Sequence, residues 1–195
     1  MELTPDQFAK ELPQWYQIWA NANRNYFAVE EMLTNKASRV GHLSMADLVE
    51  ITKVLGNPHN IRGRVQKANT EATVIHATKS AILNLGNPIE AYKSMCGIRQ
   101  WGLAYRTKTL RCVCPRNYAA LDSRLHMCID RSYFPSKNEA KRYYEFLNFL
   151  DYVIEKVSES GPRNGEWFIA DIEMALFQFA WDRQNRIRYV RYTSQ

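Results

Sequence analysis

Along this chain apolar residues recur at the three- and four-residue spacing of helices, and almost nowhere at the two-residue spacing of half-buried strands. Phe8, Leu12, Trp15 and Trp19 open the pattern, and Thr4 ahead of Pro5 supplies an N-cap with proline at the first helical position. Ser44 and Asp47 form a variant capping box before Leu48, Ile51 and Leu55. Ser136 and Glu139 read as a full box leading a stripe of Tyr143, Leu147, Leu150, Ile154 and Val157, which SGPRNG then breaks. A last helix carries Ile169, Ile172, Leu176 and Phe179. The tripeptide GNP occurs at Gly56–Pro58 and Gly86–Pro88, each able to stop one helix at glycine and start another with Asn as cap and Pro behind it. The pattern predicts an all-α protein of about nine or ten helices, a single unit over residues 1–195 without repeats or an evident linker.

Composition narrows the setting. With 46% hydrophobic and 24% charged residues, the 195-residue chain can bury one sizeable core. No apolar run approaches the roughly 20 residues that span a bilayer. The opening MELTPDQFAKELPQW is acidic and polar where a secretory signal is basic and then apolar. A cytoplasmic or nucleoid-associated protein with no membrane partner is expected. The four cysteines, Cys96, Cys112, Cys114 and Cys128, lack paired CxxC knuckles and read as reduced, mostly buried thiols that hold no metal.

Charge changes the picture more. The net charge is +6, but Arg62–Arg131 alone carries +8, with twelve Lys/Arg against four Asp/Glu. Residues 1–60 sum to −2, residues 132–181 to −3 and the tail from Asp182 to +3. Such segregation is the electrostatic footprint of a polyanion binder; a solvated basic face, or a surface for acidic proteins, has the same composition.

The densest part of the basic region is GIRQWGLAYRTKTLRCVCPRNYAALDSR, Gly97–Arg124, with six basic side chains and one carboxylate, Asp122. Its setting is a helix from about Pro88 to Met95, a short connection through Gly97 and Gly102, and a helix from about Leu103 to Cys114. The two glycines let the backbone turn closely and present amide N–H groups at the start of the second helix, where the macrodipole favours an anion. Arg99, Arg106, Lys108 and Arg111 add long-range attraction. Asp122 reads as the N-cap of another helix, a role compatible with chemistry at its carboxylate.

IRQWGLAYRTKTL, followed after Pro115 by AALDSRL, resembles the helix-hairpin-helix and following aspartate of the base-excision DNA glycosylase superfamily that includes endonuclease III, adenine glycosylase and 8-oxoguanine glycosylase. The resemblance covers residues 5–181 and implies a two-lobed helical fold, with the hairpin motif over about 88–114 and an aspartate-bearing helix from 122. Gln100 and Trp101 replace the first hairpin glycine and its apolar neighbour, and the family's iron–sulfur cysteines are absent. Ala104 stands where members with lyase activity carry a nucleophilic lysine, and Lys108, one turn on, is expected to point elsewhere.

The resemblance therefore implies a monofunctional DNA glycosylase. Asp122 would stabilise the oxocarbenium-like charge at the sugar C1′ and orient or deprotonate the attacking water. Duplex DNA would be held by Gly97, Arg99, Trp101, Gly102, Tyr105, Arg106, Thr107, Lys108 and Arg124. A monovalent cation on hairpin carbonyls is the one cofactor it leaves room for, and a monomer is expected. The other reading is a non-catalytic helix-hairpin-helix DNA-binding protein that kept the fold without the reaction. Base flipping needs aromatic platforms, for which Trp101, Tyr105, Tyr118, Tyr26 and Phe27 are candidates, most of them expected in the core. GNPHNIRGR, Gly56–Arg64, is a candidate strand-contacting loop. The tail RQNRIRYVRY suits backbone attraction plus stacking, or a helix end or strand lying on the fold.

Overall fold

The computed structural model describes residues 4–54, 56, 60–125 and 128–193, with backbone alone at 131 and from 184 onward. Among the described residues there are nine α-helices: α1 (Pro5–Ala22), α2 (Arg24–Val40), α3 (Met45–Val54), α4 (Ile61–Ala68), α5 (Glu71–Leu83), α6 (Pro88–Met95), α7 (Leu103–Val113), α8 (Glu139–Lys156) and α9 (Ile169–Thr193). The protein is all-α, and none of these helices is long and apolar enough to cross a membrane.

Local signals set most helix starts. Thr4 Oγ1 accepts the Gln7 N–H while Gln7 Oε1 accepts the Thr4 N–H, completing a capping box with Pro5 in the first turn. Asn87 caps α6 ahead of Pro88 by accepting the Glu90 N–H. At α3, the Ser44 N–H donates to Asp47 Oδ2 at 2.6 Å and the Asp47 N–H donates to Ser44 Oγ at 3.3 Å. The start of α8 differs from expectation. Asn138, not Ser136, is its cap, accepting the Lys141 N–H, while the Ser136 N–H donates to Glu145 at 3.0 Å and Glu139 accepts from the Tyr92 hydroxyl at 2.8 Å. In the first GNP, Asn57 and Pro58 lie outside the described residues; α4 is capped by Asn60.

Helix α1 packs along α9 through edge-on contacts of Phe8 and Trp15 with Phe179, ring centroids 6.1 and 5.6 Å apart. Helix α7 runs through the interior: Tyr105, Thr107, Thr109, Leu110, Arg111, Cys112 and Val113 are all buried, so it is covered on nearly every face. The connection into it corrects the expected role of its glycines. Gly102 is extended (φ −71°), Gly97 is not left-handed, and the left-handed residue is Gln100 at φ 60°, the position where the hairpin pattern has its first glycine. Asn69 holds this turn, accepting the Arg99 N–H and donating to the Arg99 carbonyl, both at 2.8 Å.

Beyond α7 the chain threads between α7, α8 and α9. Tyr118, Ala119, Ala120 and Leu121 are buried there. Their backbone is tied to side chains: the Ala119 carbonyl accepts from the Tyr143 hydroxyl at 2.8 Å, and the Leu121 N–H donates to Thr107 Oγ1 at 2.9 Å. Among the described residues no α-helix starts at Asp122: Ser123 and Arg124 form a turn and Leu125 is in 3₁₀ conformation. Asp122 Oδ1 takes the Arg124 N–H at 3.0 Å, and the Leu125 N–H bonds the Asp122 carbonyl at 3.1 Å.

The breaker SGPRNG folds into a tight bridged turn, Gly161 opposite Gly165 and Arg163 opposite Glu166. Arg163 anchors it by a two-pronged bond to Asp171 and an ion pair with Glu30 at 2.7 Å. A Cβ on Gly161 would lie 2.0 Å from the backbone of Glu166. Replacing Gly161 with Ala is therefore expected to open this turn and lower stability by about 1–3 kcal/mol or more, read as a lower urea midpoint.

Candidate functional site

Helix α7 places its residues one turn apart, so Ala104 and Lys108 differ by only about 40° around the axis and share a face. Lys108, expected to point in a different direction from position 104, has its Nζ 3.8 Å from Asp122 Oδ2, and both line one pocket of about 130 Å³. Both side chains are largely covered, 12% and 20% exposed. Burial holds the Lys108 ammonium below its usual pKa, against an opposing pull from Asp122.

The rest of the pocket comes from α1 with its C-cap, α3 and α9, with Arg111 added from α7. Trp19 of α1 and Phe177 of α9 supply aromatic walls, and Asn23 and Val54 close one side. Arg111 and Glu173 complete it. These two are almost wholly buried and joined at 2.5 Å between Nη1 and Oε2. Arg111 also stacks over Tyr26, 4.4 Å from the ring centroid, and faces Trp19 at 5.6 Å. Burial pushes the Glu173 carboxyl up to about 7, although Arg111 and the Ala120 N–H draw it down. Burial likewise pushes the Cys112 thiol up to about 12, leaving it a poor nucleophile.

Beside this pocket, and sharing Asn23 and Val54 with it, is a wider depression of about 360 Å³ lined by Asn21, Arg24, Asn25 and Lys53. Arg124 stands on another side, its guanidinium 4.3 Å from the Trp181 ring centroid and 5.5 Å from that of Phe177. The structure thus gathers Asp122, Lys108 and Arg124 at one place.

Of the others, Tyr105 stands beside them, its ring centroid 5.0 Å from Lys108 Nζ, and the rest lie elsewhere. Trp101 is fully buried, its indole N–H donating to Thr109 Oγ1 at 3.0 Å, so it is a core residue. Tyr105 is buried, with its hydroxyl on the Gly56 carbonyl at 2.6 Å. Thr107 is fully buried and holds Leu121, the residue before Asp122, so it positions the carboxylate and meets no partner. Arg106 turns inward to the Tyr92 hydroxyl at 3.2 Å and Glu139 at 3.5 Å. Gly97, Arg99 and Gly102 are exposed on the connection before α7. Gly102 lies six residues before Lys108, about 9 Å along the helix axis. Of the candidate platforms, Tyr118 and Tyr26 are buried and Phe27 is partly so. In the loop Gly56–Arg64, residues 57–59 lie outside the described residues, and the tail's side chains from 184 onward do too; its backbone continues α9.

Sequence reasoning does not single out Trp19, Asn23, Glu173 and Phe177 for chemistry, and it gives Arg111 only a role in long-range attraction. Helical periodicity marks such positions as buried without saying what they enclose; the nearest sequence signals were the alternating asparagines of NANRN and two charges, Arg111 and Glu173, on otherwise apolar helix faces. Among the described residues no cluster of His, Cys, Asp and Glu could hold a metal ion. Comparison with protein-family models, curated proteins and solved structures finds no match to this chain.

Breaking a buried ion pair on one side leaves an uncompensated charge. Arg111→Met and Glu173→Gln are each expected to cost about 3–5 kcal/mol in urea unfolding, and Arg111→Met with Glu173→Leu clearly less than the sum of the two.

Proposed function

We propose that the protein is a DNA glycosylase that hydrolyses the bond between a base and its deoxyribose, with the base flipped into the pocket at Asp122. The observation that carries this reading is the pairing of a carboxylate and an amine, 3.8 Å apart, in an aromatic-walled pocket within the most basic part of the chain. Volume supports a small occupant: about 130 Å³ is well below the roughly 300 Å³ at which drug-sized pockets begin.

Asp122 is held for the role by its neighbours. Oδ1 is fixed by the Arg124 N–H, and Thr107 pins the preceding residue, so Oδ2 faces the pocket. As the bond to the base lengthens, positive charge grows at C1′ and O4′, and a fixed carboxylate stabilises it. Water adds at C1′, its proton passes to the carboxylate, and the departing base takes up a proton from solvent. Exposed Arg99 and the positive region around it attract the strand. Arg106, turned to Tyr92 and Glu139, takes no part in that attraction.

A second reading has its own observation. Lys108 lines the same pocket, with its Nζ 3.8 Å from Asp122 Oδ2, and burial lowers its pKa, which favours the nucleophilic form relative to an exposed lysine. Its attack would expel the base, form a Schiff base with the opened sugar and lead to strand scission.

Borohydride trapping on duplexes carrying varied base lesions separates the two. Hydrolysis leaves intact strands with abasic sites and no trapped adduct; an adduct lost in Lys108→Ala establishes the amine route. Asp122→Asn is expected to lower turnover by at least a hundredfold and leave duplex binding equal or tighter, since a negative charge beside phosphates is removed. Binding without turnover on any lesion would identify a DNA-binding protein without the reaction. Affinity should also fall linearly in a plot of log K against log salt, with a shallower slope in Arg99→Ala and an unchanged slope in Arg106→Ala. Flat affinity from low to moderate salt would remove phosphate binding from the account.

A further inference from the structure

The Arg111 guanidinium is only partly satisfied by the fold. Its Nη1 is taken by Glu173, but Nε and Nη2, both buried, have no acceptor among the described residues. These two nitrogens lie on the same side of the guanidinium, and their hydrogens form one planar fork. The fold shows what such a fork takes when filled. In Arg163 the same two nitrogens donate to the carboxylate of Asp171, at 2.9 Å from Nε and 2.8 Å from Nη2. In Arg111 the corresponding edge meets no pair of acceptors, although buried donors to a charged group are costly to leave unmade. Arg111 lines the pocket that also contains Asp122, with Trp19 and Phe177 offering rings for stacking.

We infer that the Arg111 fork selects the base, and that the pocket accepts bases presenting two adjacent acceptors on one edge. Guanine and hypoxanthine do so with O6 and N7, and cytosine with O2 and N3. Adenine sets an amino donor beside N7 or N1, and uracil and thymine separate their carbonyls by an N–H, so each would turn a donor toward one prong of the fork. Glu173 contributes by fixing Arg111 in place; Lys could supply the charge but not the planar pair of donors. The inference rests on the glycosylase reading only for the location of the pocket, and it names the substrate class of that site.

Free bases test it without DNA or turnover. Hypoxanthine, cytosine, adenine and uracil are titrated into the intact protein by calorimetry, with ligand-observed NMR for weak binders. Hypoxanthine and cytosine are expected to bind at least tenfold tighter than adenine and uracil. Arg111→Lys is expected to erase the difference while keeping a cooperative unfolding transition; if that variant fails to fold, the four-base series on the natural protein decides alone. Equal binding of all four, preference for adenine or uracil, or no binding of any base at millimolar concentration overturns the assignment. The two readings fail separately. Base preference without cleavage of any lesion leaves the fork assignment standing and removes the enzyme, whereas cleavage confined to adenine or uracil lesions keeps the enzyme and removes the fork assignment.

Discussion

A full positive charge at the centre of a helical core is the constraint around which this fold is arranged. Arg111 cannot escape its charge by losing a proton, so α7 can occupy the interior only if other elements bring compensation to it. Glu173 arrives from α9, and the Tyr26 ring from α2 covers the guanidinium face. A second ionic group lies close by on α2, where Glu30 takes the Tyr26 hydroxyl at 2.8 Å and pairs with Arg163, which also holds Asp171. Three helices and the Gly161–Glu166 turn are thereby fixed relative to one another by charge as well as by apolar packing.

That arrangement explains why the candidate chemistry sits where it does. Asp122 follows an irregular stretch whose polar backbone groups are met by Thr107 and Tyr143, and by Glu173 of the buried ion pair. The carboxylate is thus carried by an irregular segment yet placed with the rigidity of the helices on either side. Much of the basic character around it is structural. Arg106 and Arg111 are used to join elements of the fold, and the positive charge left for a polyanion is smaller than the composition of the region suggests.

Capping chemistry was legible because it is local: Thr4 with Gln7, Ser44 with Asp47 and Asn87 before Pro88 act through bonds spanning three residues. It failed at Ser136, whose N–H donates to Glu145 while Glu139 accepts from a distant partner, Tyr92. The spacing of Asp122 from α7 was readable, and so was the helix–connection–helix before it, with α6 matching Pro88–Met95. Direction within that segment was not. Trp101, Tyr105 and Thr107 alternate with exposed or half-exposed neighbours, and a run rich in glycine, arginine and aromatics reads as a surface motif until its burial is known. The unmade fork of Arg111 has no sequence signature, since an unsatisfied donor is defined by what three other helices fail to provide.

The pocket draws its walls from Trp19 near one end of the chain and from Phe177 near the other, with the α1–α9 pairing holding them together. Contacts so far apart in sequence are slow to form, because each closes a loop of most of the chain. During synthesis the earlier helices can fold as they emerge, but Glu173 and Phe177 come late. Until α9 docks, Arg111 has no counter-ion and the cleft has no second aromatic wall. Assembly of the site therefore waits on the docking of α9, which brings both the counter-ion and the second aromatic wall.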